Sequence, residues 1–307
     1  MRILLTGSSG VVGSAILVDL LKNGHRVTAL DAVALPDGIR QILSPDASCR
    51  LSTHIVDLTD FKRLEESMSR DRPEGVIHLS AIPNPLGRDP RVVHNNNVTS
   101  SYNVLCTAAT HGVKRIVQAS SVNAVGLSYT PAGNQRFDAL PLTEDTPYQT
   151  QDPYALSKHI CEIQAASLVR ANPDVRIASL RFHMVKPSYE VSWPLSEAES
   201  LYSWVSVEAC ARACILGLES EGWDGAEVFN IVADQICWEG GLSADQQQTV
   251  GHLGPHAQPG FLDLLQTQWR GRYNEDRLDR SWWDKDPRRA PWDCSKAERL
   301  MGWRHSG

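Results

Sequence analysis

No stretch of this sequence approaches the roughly 18 uninterrupted apolar residues that a membrane-crossing helix needs, so no membrane partner is expected. Positive charge is not in excess either. The 30 Lys and Arg against 36 Asp and Glu leave a formal net charge of -6, without the basic surface that a nucleic-acid partner would demand. The cysteines lack pairing: seven, at 49, 106, 161, 210, 214, 237 and 294, make an odd and scattered count that suits reduced thiols rather than a disulfide framework. Cys210 and Cys214 lie one helical turn apart, but no His or second Cys pair accompanies them, and no metal site is expected. No internal repeat is visible, and the first apolar run starts at once, which makes a cytoplasmic location the default expectation.

What is present begins with strand, glycine turn, helix and strand. Arg2 to Thr6 is a short apolar run, followed by Gly7-Ser8-Ser9-Gly10-Val11-Val12-Gly13. Ala15, Ile16, Leu17, Leu20 and Leu21 then fall at helical spacing, Gly24 closes that helix, and Val27 to Leu30 forms a second strand ending in Asp31. Glycines allow a tight turn and let a pyrophosphate approach the helix N-terminus, whose free N–H groups favour anions. An acid at the end of the second strand accepts hydrogen bonds from ribose hydroxyls and repels a 2′-phosphate, so NAD is expected and NADP disfavoured.

The alternation continues to about residue 180, with strands at 51–56, 75–79, 115–119 and 175–180 and helices between them. This predicts an α/β, Rossmann-like doubly wound parallel sheet. Ligands in such sheets sit beyond the carboxyl ends of the strands. Asp57 and Leu58, then Leu79, Ser80 and Ala81, then Ser120 and Ser121, all fall there. The expected division is a dinucleotide-binding domain over 1–181 and a smaller substrate lobe over 182–307, interleaved with the main domain. The stretch 240–260, rich in Gly, Pro, Gln and His, reads as a flexible insertion. Trp282, Trp283, Trp292 and Trp303 read as aromatic packing in the small lobe.

One helix carries the chemistry. Tyr154 and Lys158, one turn apart in Asp152-Pro153-Tyr154-Ala155-Leu156-Ser157-Lys158, put a phenol and an ammonium on one face. A nearby cation favours phenolate, so Lys158 is expected to lower the Tyr154 pKa toward the range of a general base.

Together these motifs resemble the extended short-chain dehydrogenase/reductase superfamily, the NAD-dependent epimerase/dehydratase-like proteins. Thr6 to Gly13 matches that family's T-G-x-x-G-x-x-G at every fixed position, and His78 to Ala81 is similar to its H-L-A-A segment. The resemblance implies that Gly7, Ser9, Gly10, Val11, Val12, Gly13, Asp31, Asp57, Leu58, Leu79, Ser80, Ala81 and Lys158 hold the cofactor. It implies Ser121 as the catalytic serine, with Ser120 the alternative register, and Asn97 as the helix asparagine that supports proton relay. Val125 stands where most members carry Tyr. Substrate contacts are expected from Ser121, Asn123, Arg181, His183 and Trp204, with Tyr189 nearby. A homodimer through the two long helices is also implied.

The implied reaction is hydride transfer to or from a small hydroxyl or carbonyl compound, with Tyr154 as general acid and base. The segment 181–208 is short, and the Y-G-D-G stretch and arginine of nucleotide-sugar members are absent. With the closing Ser295-Lys296-Ala297 and Leu300-Met301-Gly302-Trp303, this resembles the compact uronate or aldose dehydrogenase-like members. The alternatives are an NAD-dependent epimerase or dehydratase of a sugar or nucleotide-sugar, and a non-catalytic NAD-sensing regulator. Regulators of that kind commonly lose the Tyr or the Lys.

Overall fold

The computed structural model of the protein describes residues 1–251, 253 and 257–306. In chain order, β1 (Arg2–Thr6), α1 (Val11–Lys22) and β2 (Arg26–Asp31) are followed by two short helices, α2 (Asp37–Ile42) and α3 (Pro45–Cys49). Next come β3 (Leu51–Ile55), α4 (Phe61–Asp71), β4 (Gly75–His78), α5 (Pro90–Thr110), β5 (Arg115–Ser121), α6 (Pro153–Ala171) and β6 (Arg176–Phe182). The remainder contains β7 (Val185–Lys186), α7 (Tyr189–Ser192), β8 (Val205–Ser206), α8 (Val207–Glu219), β9 (Ala226–Ile231), α9 (Ala244–Val250), α10 (Phe261–Gln268) and α11 (Ser295–Met301).

Seven strands form one parallel sheet in the order β3-β2-β1-β4-β5-β6-β9. Chain direction across the sheet reverses between β1 and β4, and that switch point is where such sheets open a ligand crevice. Alternation within β1 serves two cores: Ile3 and Leu5 face α1 and α8 with Ile16, Leu20 and Cys210, while Leu4 faces α4 and α5 with Leu64, Val104 and Leu105.

Residues beyond Arg181 also build the layers of the main sheet. Strand β9 extends the main sheet beside β6, α8 packs on α1, and α11 packs on α8 and β9. Trp303 is 1 % exposed, and its indole Nε1 donates to the Ala209 carbonyl at 2.9 Å. A second apolar cluster joins Val125, Phe137, Leu140, Tyr202, Phe261, Trp269, Trp283 and Trp292 under the other end of the chain. Within it Phe261 and Trp283 stack with centroids 5.2 Å apart, whereas Trp303, expected beside them, belongs to the core of the main sheet.

The reading of 240–260 as a flexible insertion is corrected in part. Ser243 and Gln246 form a reciprocal capping box, Ser243 N–H to Oε1 at 2.8 Å and Gln246 N–H to Oγ at 3.3 Å, which starts α9. The cap is local chemistry that a composition-based reading passes over. His252 and residues 254–256 of that stretch lie outside the described residues.

Candidate active site

A cavity of about 880 Å3 opens at the carboxyl ends of β1, β2, β4, β5 and β6. One end is built by the glycine turn. Gly7 has φ of +72°, and a Cβ there would lie 2.7 Å from the Ser80 nitrogen; a Cβ on Gly13 would lie 2.0 Å from the Gly7 oxygen. Only hydrogen fits at either position. Gly10 caps α1 without any side-chain hydrogen bond, so the first-turn N–H groups of Val11 and Val12 have no capping side chain. Asp31 is held in place, its carboxylate accepting Ser9 N–H at 2.9 Å and Val33 N–H at 3.3 Å.

Beneath this end, the Thr6 hydroxyl and His78 Nδ1 are 2.7 Å apart. Burial holds the His78 pKa down at about 3, helped by the Lys158 charge, so the ring stays neutral.

At the middle of the cavity stand Ser121, Tyr154 and Lys158. Asp152 starts α6 as its N-cap, its Oδ1 accepting the N–H of Tyr154 at 2.9 Å and of Ala155 at 2.8 Å, which fixes the first turn that carries the phenol. Ser121 hydrogen-bonds the phenol, and its Oγ also accepts Asn123 N–H at 3.1 Å. Lys158 donates from Nζ to the Ala119 carbonyl at 2.7 Å and lies 5.8 Å from the Tyr154 ring centroid.

The expected lowering of the phenol pKa is corrected here. Burial pushes Tyr154 up to about 12, the Ser121 bond only partly offsetting it, and Lys158 is not among the groups that shift it. Burial also lowers the Lys158 pKa, against raising contributions from Cys161 and Glu162. Desolvating a phenolate outweighs an ammonium already committed to a carbonyl.

The far end is lined by Ser128, Tyr129, Phe182, His183, Met184, Lys186, Glu197 and Ser200. Tyr129 meets Tyr154 edge-on with centroids 5.8 Å apart. His183 accepts Met184 N–H at Nδ1, at 2.7 Å, which leaves its proton on Nε2; burial holds its pKa down at about 3. Leu201 and Tyr202, both fully buried, take left-handed φ of 51° and 54° immediately after the cavity-lining Ser200.

Of the residues singled out by sequence, Gly7, Ser9, Gly10, Val11, Val12, Gly13, Asp31, Leu79, Ser80, Ala81, Ser121, Asn123, Tyr154, Lys158 and His183 line this one cavity. Others do not. Asp57 turns its carboxylate to Thr59, accepting N–H at 2.9 Å and hydroxyl at 2.8 Å, while Leu58 is buried in the core. Asn97 donates to Ser157 Oγ at 3.1 Å and exchanges hydrogen bonds with the Ile82 backbone, away from the cavity wall.

Arg181 is fully buried and forks onto Glu162 outside the cavity lining, which corrects its reading as a substrate contact. Trp204 packs against Tyr189 and His305 outside the cavity lining, and is likewise corrected. Tyr129 and Glu197 went unread because they lie in irregular segments without periodic or motif signal, and Lys186 because its strand β7 is only two residues long.

A seven-stranded parallel α/β sheet with a glycine turn, an acid after β2 and a Tyr-Lys helix defines a dinucleotide-binding class of protein. The chain belongs to the NAD dependent epimerase/dehydratase family, whose family model matches residues 3–187. Among curated proteins it is similar to a bifunctional UDP-glucose 4-epimerase and UDP-xylose 4-epimerase of Arabidopsis thaliana, 30% identical over 59% of this chain and 51% of that protein. A UDP-glucose 4-epimerase of Caenorhabditis elegans is 26% identical over 83% of this chain and 76% of its own. The chain spans about half the length of the curated relatives it matches first.

Among solved structures, a Thermotoga maritima UDP-glucose 4-epimerase with UDP-glucose superposes with a TM-score of 0.67 at 20% identity, covering 99% of this chain and 94% of that one. A mutated uronate dehydrogenase superposes with a TM-score of 0.61 at 22% identity, covering 99% and 80%. These likenesses carry the fold. Among the described residues, no helix is long and apolar enough to cross a membrane, and no cluster of His, Cys, Asp and Glu has metal-binding geometry.

Proposed function

We propose that the protein is an NAD-dependent oxidoreductase that moves a hydride between the cofactor and a carbon of a small hydroxyl or carbonyl substrate. The observation that carries this reading is that Ser121, Tyr154 and Lys158 line the same cavity as the glycine turn and Asp31. NAD would rest its pyrophosphate on the uncapped first turn of α1, against glycines that leave no room for a side chain. Asp31 would take the ribose hydroxyls, Leu79 to Ala81 would lie along the backbone side, and Lys158 would reach the nicotinamide ribose. The hydride chemistry belongs to bound NAD.

The chain's own residues handle the proton. Tyr154 Oη gives up or takes the substrate hydroxyl proton, and Ser121 Oγ orients the substrate oxygen toward it. With the phenol near 12, Tyr154 rests as a proton donor, the state that serves carbonyl reduction.

Net redox on a small substrate is favoured over nucleotide-sugar chemistry because, among the described residues, Lys158 and Lys186 are the only cations lining the cavity and no arginine does so. A diphosphate would lack a bidentate guanidinium. The competing reading, epimerisation of a UDP-sugar, draws on the activity named for the curated relatives. Absorbance of NADH on a panel of aldoses, uronates and UDP-hexoses separates the two. Epimer formation from a UDP-hexose without accumulating NADH would sink the net-redox reading.

The protein acts as a cytoplasmic homodimer in this reading. Val92 and Tyr102 on α5 and Leu156 and Ile163 on α6 expose apolar side chains that a second copy would cover. A monomer in sedimentation would overturn the dimer, and recovery outside the soluble cytoplasmic fraction would overturn the location.

A further inference from the structure

Helix α6 and strand β5 are joined at three successive points. Tyr154, Lys158 and Glu162 stand one turn apart on α6, and they bond Ser121, the Ala119 carbonyl and Ser120, three consecutive residues of β5. The first two contacts belong to the proposed chemistry. The third lies one turn deeper.

The Glu162 side chain is 3 % exposed and each of its oxygens serves two donors. Oε1 accepts Ser120 Oγ at 2.5 Å and Arg181 Nε at 2.9 Å. Oε2 accepts Tyr148 Oη at 2.7 Å and a terminal Arg181 nitrogen at 2.9 Å. Arg181 is itself fixed further, donating to the Glu144 carbonyl at 3.2 Å. A buried ion pair is a poor source of net stability, because two desolvated charges cost about what they recover, whereas it enforces one geometry. This pair ties β6, through Arg181, and β5, through Ser120, to the helix that carries Tyr154 and Lys158.

We propose that Glu162 is the positioning residue of the catalytic lysine: through Ser120 it sets the height of α6 against β5 and keeps the Lys158 ammonium seated on the Ala119 carbonyl. The groups facing Lys158 are Tyr154, Cys161 and Glu162 from its own helix and His78 from β4. At neutral pH Tyr154 and Cys161 keep their protons and His78 is uncharged, since burial raises the first two and lowers the third. Among the described residues Glu162 is therefore the facing group that bears charge. It acts on Lys158 through both geometry and field.

The proposal rests on Lys158 being part of the active site, but its test needs no substrate. Titration of the ε-13C-lysine-labelled protein by NMR, with the Lys158 signal assigned by its loss in Lys158→Arg, reads the environment of that ammonium directly. Glu162→Gln should move the Lys158 midpoint downward by roughly one pH unit, the size of an adjacent-charge effect. Ser120→Ala, which keeps the ion pair and cuts only the link to β5, should move it the same way by less. If Glu162→Gln fails to fold because Arg181 is left unpaired, Glu162→Gln with Arg181→Leu removes both buried charges and should show the same downward shift. A Lys158 midpoint unchanged in the folded Glu162 variant overturns the positioning role, and one unchanged in Ser120→Ala overturns the link through the strand. Absence of hydride transfer on every substrate would instead count against the proposed function and leave this titration intact.

Discussion

The two ends of the one cavity are built in different ways. The cofactor end is made from a contiguous stretch, Gly7 to Gly13, closed by Asp31, with backbone atoms packed so tightly that a single methyl group would collide. The substrate end is assembled from Ser128 and Tyr129, Phe182 to Lys186, and Leu195 to Ser200, segments separated by helix α6 and by irregular chain. One end presents backbone and tolerates little variation. The other presents side chains on loops and can change without disturbing the sheet. The proposed chemistry sits at the junction, where α6 pairs with β5.

Substitutions that separate the two ends test this contrast. At the junction, Tyr154→Phe should lower turnover by about 10²–10⁴-fold, the range for losing a general acid or base, while NAD affinity measured by calorimetry stays at the wild-type value. An unchanged rate would remove Tyr154 from the mechanism. At the cofactor end, Gly13→Ala must displace the Gly7 carbonyl, and should cost about 1–3 kcal/mol of stability in urea denaturation together with most NAD binding. At the substrate end, Lys186→Ala should raise KM by roughly tenfold, the worth of one charge-assisted hydrogen bond, without altering the NAD dissociation constant. Coupled losses of NAD and substrate affinity in Lys186→Ala would erase the distinction between the ends.

The smallest effect concerns acid. His78 and His183 have folded pKa values of about 3 against an ordinary 6.5, one at each side of the junction. Between those values the unfolded chain binds more protons, so stability is full above pH 6.5 and falls as pH drops toward 3. The loss should be on the order of 1 kcal/mol per histidine per pH unit. His183→Gln should reduce that slope by on the order of 1 kcal/mol per pH unit in urea melts below pH 6, and an unaltered slope would show that His183 is not held neutral.

The same contrast explains what could be read from sequence. The cofactor end was legible because its determinants are local: glycine spacing, an acid closing the next strand, and a Tyr-Lys spacing on a helix begun by Asp152. The substrate end was not, since Tyr129 and Glu197 reach the cavity through irregular segments and Lys186 through the two-residue strand β7, too short to show a period. Arg181 was misread for a related reason. It stands just past the strand expected at 175–180 but within β6 of the structure, where Glu162, four residues beyond Lys158 on the same helix face, claims it in the folded core. The α9 cap, Ser243 with Gln246, was present in the sequence but hidden within polar composition.

Trp303, clasped under α8, carries a consequence for synthesis. Helix α8 forms the inner face over α1, and Trp303 closes α8 from outside with its bond to Ala209. The glycine turn is translated well before Trp303, yet the layer that braces its helix is finished only when residue 303 has left the ribosome. We expect nascent chains arrested before Ser295 to stay protease-sensitive in α1 and chains extended past Trp303 to become resistant, so that cofactor loading waits on the docking of Trp303.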